Sequence, residues 1–138
     1  MNISTKGRYG LRAMLDIAMN CGEKPVTLSA ISARQTISEG YLEQLMAPLK
    51  REKLVKSVRG AQGGYMLSRP AGEISVGEVF RALEGPLSIT SCASDEEFVG
   101  CGMEESCLVR DLWQQIQESV SRIIDSHTLA DLLPCKHE

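Results

Sequence analysis

Between two short apolar runs, Leu54-Val55 and Tyr65-Met66-Leu67, lies a segment ending in Gly60-Ala61-Gln62-Gly63-Gly64, five residues of which three are glycine. Glycine loses the most backbone freedom on ordering and collects where a chain must turn sharply. The flanks, Leu54 to Arg59 and Tyr65 to Leu67, read as strands, so the segment predicts a hairpin with a glycine-rich tip. A hairpin alone constrains little; what precedes it constrains a great deal. Thr27 is a good N-cap for a short helix from Leu28 to about Gln35. Thr36-Ile37-Ser38 then reads as a tight turn, with Ser38 capping a third helix whose buried stripe is Leu42, Leu45, Met46 and Leu49. Two short helices joined by so short a turn form a helix-turn-helix pattern. A hairpin that follows at once, with Arg59 at its tip, is a wing. Pro48 is expected to bend or shorten the third helix near Gln44, since an interior proline costs about 3 kcal/mol.

The remaining segments fit around that unit. A first helix is predicted from about Lys6 to Met19, capped by Ser4 or Thr5, with Leu11, Met14, Leu15 and Ala18 at helical spacing. Gly22 and Pro25 end it. Ser68 to Gly72 reads as a linker. Ser75-Val76-Gly77-Glu78 matches a capping box and opens a helix with Val76, Val79, Phe80 and Leu83 on one face, stopped by Gly85-Pro86. A long helix from about Leu108 to Asp125 carries Val109, Leu112, Trp113, Ile116, Val120, Ile123 and Ile124 near heptad spacing, a stripe wide enough for a partner helix. Thr128-Leu129-Ala130-Asp131 is a second capping box, for a short helix ended by Pro134. The expected fold is mainly α with a small β-wing. Residues 1–85 form a winged helix-turn-helix domain, 86–107 a cysteine loop, and 108–138 a dimerisation helix with a C-terminal cap.

That loop holds three of the chain's five cysteines, Cys92, Cys101 and Cys107, amid glycine and acid. Cysteine is often buried as a small hydrophobe, but this window has no apolar periodicity with which to build a core. Thiolates on an irregular backbone suit a metal or an iron–sulfur cluster, whose ligands must converge on one point. The intervals, eight residues and then five, are not the close pairs of common zinc sites. The N-terminus lacks the apolar core of a signal peptide and no run reaches the length of a membrane span. The expected location is therefore cytoplasmic, where structural disulfides are rare. Cys21 reads as ordinary packing and His127 as a surface residue. The net charge of −3 hides an asymmetry: residues 1–69 carry 11 Lys/Arg against 5 Asp/Glu, residues 70–138 only 4 against 13. The first half suits a polyanion and the second repels one.

Four of these segments, Ser4-Thr5-Lys6-Gly7-Arg8-Tyr9, Ser38-Glu39-Gly40-Tyr41-Leu42-Glu43-Gln44-Leu45, Val58-Arg59-Gly60-Ala61-Gln62-Gly63-Gly64-Tyr65 and the Thr128-Leu129 capping box, resemble the IscR-type iron–sulfur cluster regulators. Relatives of that group include the nitric-oxide sensor NsrR and the cysteine-metabolism repressor CymR. The likeness runs nearly end to end. It implies a homodimeric winged-helix transcription regulator, a repressor of iron–sulfur biogenesis genes, that binds a double-stranded DNA operator. It implies a cluster on Cys92, Cys101 and Cys107, with 2Fe–2S expected ahead of 4Fe–4S and cluster-assembly proteins as donors.

On the same likeness the helix from Ser38 enters the major groove. Gln44 then presents an amide to adenine and Glu43 accepts from cytosine or discriminates against wrong bases. Ser38 and Tyr41 suit phosphates, and Arg59 a minor groove, with Gly60, Gln62, Gly63 and Gly64 allowing close backbone approach. Two departures concern the fourth ligand. IscR supplies a histidine three residues after its last cysteine, where this chain has Arg110, and an always-protonated guanidinium is a poor ligand. Relatives that use an acid near the start of helix 1 are not matched either, because Arg8 and Arg12 stand there. Asp111, Glu104, Glu105, Cys135, His137 or a solvent thiol remain as candidates. A CymR-like regulator without a cluster, an NsrR-like sensor, a zinc-stapled regulator and a small iron–sulfur carrier or scaffold are the alternatives. The carrier would need neither wing nor basic half. No arrangement of paired carboxylates, nucleophile and base, or phosphate loop points to an enzyme.

Overall fold

The computed structural model describes residues 3–87 and 107–134. In chain order these form α1 (Thr5–Asn20), α2 (Leu28–Gln35), α3 (Glu39–Arg51), β1 (Val55–Val58), β2 (Gly64–Leu67), a 3-10 turn (Ala71–Glu73), α4 (Val76–Glu84), α5 (Arg110–Ser126) and α6 (Leu129–Leu132). Each cap acts as its residue type requires. The hydroxyls of Ser4, Thr27 and Ser38 accept from the backbone N–H three residues on, and Ser75 and Thr128 form full capping boxes with Glu78 and Asp131.

The core gathers Met14 and Ile17 of α1, Ile31 of α2, the Leu42, Leu45, Met46 and Leu49 stripe of α3, and Val79 and Leu83 of α4. Its packing explains two departures from the sequence expectations. Pro48 does not shorten α3, which runs on to Arg51. Leu45, Met46 and Leu49 are at most 1% exposed, and burying three such side chains, at about 1.5–3 kcal/mol each, outweighs the roughly 3 kcal/mol cost of the proline. The carbonyl that loses its partner belongs to Gln44, on the exposed side, where water can satisfy it. In α1 the most buried face is Gly7, Gly10, Ala13, Met14 and Ile17; of the expected stripe Met14 is fully buried, whereas Leu11, Leu15 and Ala18 are only half-buried. A Cβ at Gly7 would strike the Glu84 and Phe80 side chains, and one at Gly10 would strike Leu83. Glycine at these positions lets α1 and α4 cross at backbone distance.

The C-terminal segment returns to this core. The His127 carbonyl accepts from Val76 N–H at 2.9 Å, Leu129 N–H donates to the Ile74 carbonyl at 3.0 Å, and the Leu129 side chain is fully buried. Between Cys107 and that anchor, α5 lies on the outside and buries none of its residues. It meets α4 where Arg81 grips Asp125 at 2.7 and 2.8 Å, beside Gly77, whose missing Cβ leaves room for the Asp125 carboxylate. Leu112 and Ile123 are 49% and 58% exposed, so part of the apolar stripe on α5 is uncovered within one chain.

One charged side chain is buried among the described residues, Asp16, at 1% exposure. Arg34 donates to its two oxygens at 2.7 and 3.0 Å and Gln35 donates at 3.0 Å, tying α1 to the end of α2. Burial by itself pushes the carboxyl up, but the hydrogen bonds from Arg34 and Gln35, with the Arg34 charge, outweigh it and hold the group below its ordinary value of 3.8. A lowered native value means stabilisation that is complete above the unfolded carboxyl's titration and is lost as pH falls through the native one. Asp16→Asn should therefore cost about 1–3 kcal/mol at neutral pH. Urea titrations should show the gap between wild type and variant narrowing as pH drops from about 5 to about 3.

Candidate nucleic-acid interface and cysteine site

The outer face of α3 follows from its inner one. With Leu42, Leu45 and Leu49 turned into the core, helical geometry turns Gly40, Glu43, Gln44 and Ala47 outward, and all four are exposed. Ser38 is exposed at the start of the helix. Its oxygen accepts from Tyr41 N–H at 3.2 Å, which leaves the hydroxyl proton for an outside acceptor. The cations Lys50, Arg51, Lys53, Lys56 and Arg59 follow along the end of α3 and the first strand, all exposed. A long groove-sized helix with amide and carboxylate groups on its face, continued by a row of cations, has the chemistry of base-edge and phosphate contact.

The hairpin pairs Val55 with Leu67, Lys56 with Met66, Ser57 with Tyr65 and Val58 with Gly64. Gly63 N–H donates to the Gly60 carbonyl at 3.0 Å to close the tip, and Gly60 has φ of 116°, a value side chains disfavour. Arg59, Gly60 and Gln62 are exposed at the tip, with Gly63 and Gly64 half-buried behind them. The wing does not stand alone. Tyr65 and Val26 exchange both backbone hydrogen bonds, at 2.7 and 2.9 Å, adding a third strand segment just before the α2 cap. Pro25-Val26 reads as a loop in the sequence, since one apolar residue beside a proline gives no strand signal.

Tyr41 is only half-exposed because its ring meets Tyr9 of α1, with centroids 6.0 Å apart and planes at 87°. The Arg12 guanidinium lies 5.3 Å from the Tyr9 ring centre and that of Arg8 5.9 Å. Arg12 also donates to the Gln35 side chain at 3.2 Å and to the Gln35 carbonyl at 2.5 Å. No sequence pattern announced this cluster, because its members come from three different helices.

Of the expected cluster ligands, Cys92 and Cys101 lie outside the described residues, as do Glu104, Glu105, Cys135 and His137. Cys107 is half-buried with a free thiol, just ahead of α5. Asp111 is exposed in the first turn of α5, one helical turn on from Cys107, and Arg110 is half-buried between them. The two described donors, a thiol just before α5 and a carboxylate in its first turn, fit an iron–sulfur ligand set in kind, and the guanidinium of Arg110 does not. Cys21 packs against the core and His127 is exposed. No helix among the described residues is long and apolar enough to cross a membrane.

The sequence matches the Rrf2 family, described as iron-dependent transcriptional regulators, over residues 3–134. The chain belongs to the Rrf2 family. It is 45% identical over 132 residues to the HTH-type transcriptional regulator CymR of Bacillus subtilis, covering 96% of this chain and 89% of that one. It is 44% identical over 133 residues to the regulator IscR of Serratia proteamaculans, covering 96% and 79%. The solved structure of B. subtilis CymR, the global cysteine regulator, superposes with a TM-score of 0.78 at 42% identity over 96% of this chain and 95% of that one. T. potens IscR superposes at 0.77 and 43% identity, over 96% and 85%. The Rrf2 chain is thus a winged helix-turn-helix transcription regulator and not an enzyme.

The join between wing and helices can be tested by size alone. A Cβ at Gly64 would run into the Val26 carbonyl and the Thr27 nitrogen, whereas one at Gly40 meets nothing within 4 Å. Gly64→Ala should cost about 1–3 kcal/mol, with faster amide exchange at Val26 and Tyr65. Gly40→Ala should be neutral or raise stability by up to about 1 kcal/mol, since it removes a glycine from a helix.

Proposed function

We propose that the chain is a homodimeric repressor whose affinity for a pseudo-palindromic operator is set by an iron–sulfur cluster, 2Fe–2S in type, and that it governs iron–sulfur biogenesis genes. Residues 1–85 read DNA, 86–107 hold the cluster, and 108–138 join the two copies. The single observation that carries the cluster is the set of Cys92, Cys101 and Cys107 in a stretch with no core of its own. Support for DNA reading comes from the exposed Glu43 and Gln44 beside Ser38 and Tyr41, and from the exposed Arg59, Gly60 and Gln62 of the tip with Gly63 and Gly64 half-buried behind them. Support for a dimer comes from the exposed Leu112 and Ile123 of α5. When bound, such a cluster supplies oxidant-sensitive iron, delivered by cluster-assembly proteins. The chain's own residues do the rest: three thiolates and a fourth donor, with Asp111 the candidate, hold the iron, and α3 and the wing hold the duplex.

A second reading is a CymR-like regulator of cysteine metabolism that needs no cluster, favoured by the 45% identity to the B. subtilis protein. The visible absorption of protein purified without oxygen, with iron and sulfide counts, separates the two. A coloured protein is expected. Replacing Cys92, Cys101 or Cys107 by alanine should abolish the colour, and Cys21→Ala should not. Asp111→Ala should speed bleaching in air, and Arg110→His should slow it, because imidazole suits iron better than a carboxylate. A colourless preparation that still binds its operator supports the cysteine regulator, and one with stoichiometric zinc supports a zinc staple.

DNA reading has its own test. Gln44→Ala should cost about 1–3 kcal/mol at one base position per half-site. Arg59→Ala should weaken binding and reduce its dependence on salt. Equal affinity of the wild type for specific and scrambled duplexes at moderate salt would sink this reading.

A further inference from the structure

We infer that Tyr9 is a positioning residue for the recognition helix: seated by Arg12, it fixes the first turn of α3 and so sets how well the protein distinguishes one base sequence from another. The inference rests on the DNA-reading role proposed for α3. Tyr9 stands where three helices meet, being itself on α1, edge-to-face with Tyr41 in the first turn of α3, and under Arg12, which is bonded to Gln35 at the end of α2. The contact is directional. An edge-to-face pair adds about 0.5–1.5 kcal/mol beyond its buried area and weakens when either ring tilts.

The first turn of α3 needs such a brace more than the later turns do. From Leu42 onward, buried Leu42, Leu45, Met46 and Leu49 lock the helix into the core, whereas ahead of them Glu39 and Gly40 are exposed and Tyr41, half-buried, is held through its ring. Glu43 and Gln44 follow Tyr41 by two and three residues, so a tilt of this turn carries them with it. A bidentate contact to a base edge fails within a few tenths of an ångström, as any hydrogen bond of roughly 3 Å does when stretched and bent. Phosphate contacts made by flexible lysines and arginines adapt to the same tilt. A loosened brace should therefore remove discrimination before it removes affinity.

The experiment uses the full chain and two duplexes, one recovered by in vitro selection with the wild-type protein and a scrambled version of it, at one salt concentration. Tyr9→Leu keeps apolar bulk but loses the ring, and should lower the ratio of the two affinities by about tenfold or more. Its binding to the scrambled duplex, and the salt slope there, should stay within about twofold of wild type. Tyr9→Phe keeps the ring and should retain the wild-type ratio. Arg12→Met removes the seating guanidinium and should lower the ratio by about threefold or more, which decides the matter if Tyr9→Leu does not fold. Ratios within about twofold of wild type for the folded variants overturn the inference. So does an equal loss on both duplexes that follows melting temperature, since that marks a merely structural residue. Gln44→Ala, measured alongside, separates the levels. If it loses discrimination and the Tyr9 and Arg12 variants do not, the positioning role fails and α3 still reads DNA. If none of them loses it, the reading role of α3 fails and the positioning role with it.

Discussion

Asp16 is the hinge pin of the DNA-binding half. A carboxylate at 1% exposure would be untenable alone, because an unpaired charge cannot be taken out of water at acceptable cost. Three donated hydrogen bonds from Arg34 and Gln35 make it tenable. Since both partners sit at the end of α2, the charge can be satisfied only when α1 and α2 are in register. Gln35 in turn receives Arg12, which covers Tyr9, which meets Tyr41. One buried charge therefore propagates a geometric demand from the first helix through the turn to the start of α3.

The turn itself carries a cost. Thr36, between α2 and α3, sits at φ of 57° and ψ of 49°, a left-handed conformation that a β-branched residue adopts at an expense of about 1–3 kcal/mol. Ile37 beside it is buried, and Ser38 immediately caps α3. The surrounding contacts over-determine the turn, so it holds despite the strain. The wing is fixed to the same frame by the two hydrogen bonds between Tyr65 and Val26, next to the α2 cap. Helices and wing thus form one shaped surface, and the cations from Lys50 to Arg59 lie along it, in the half of the chain with 11 basic and 5 acidic residues.

What was legible in the sequence is what local chemistry decides. The caps at Ser4, Thr27, Ser38, Ser75 and Thr128, the turn at residues 36–38 and the glycine tip all follow from one residue and its near neighbours. Apart from the end of α3, helix ends came within a residue or two, α2 at its full length. Pro48 misled because proline is penalised locally, while the compensation, three side chains in a distant core, is not local. The Asp16 network, the Tyr9–Tyr41 pair and the Val26–Tyr65 bridge were invisible for the same reason: each joins residues 18 to 39 positions apart with no periodic pattern. Gly7 and Gly10 are the clearance for α4, a role that nothing in their local sequence marks. Of the three loop cysteines only Cys107 lies among the described residues, just before α5, with Arg110 and Asp111 in the first turn of that helix.

The contrast in how the helices are held bears on how a regulator of this shape can respond. α1 is locked to α4 through Gly7 and Gly10 and to α2 through Asp16, so moving it would uncover core and strand a charge. α5 buries no residue of its own, and its ion pair, Arg81 with Asp125, is 42% and 45% exposed. A pair that open is worth about 0–1 kcal/mol. Its far end is tethered by the strand-like bonds of His127 and Leu129 to Val76 and Ile74, while its near end begins at Cys107. A ligand held at Cys107, as proposed, would therefore act beside the one described α-helix that buries no residue of its own. In the dimer proposed above, two such helices would pack together through Leu112 and Ile123, and the spacing of the two α3 helices would follow their movement. Two half-sites would then be read at once, so a change in that spacing would penalise both contacts together.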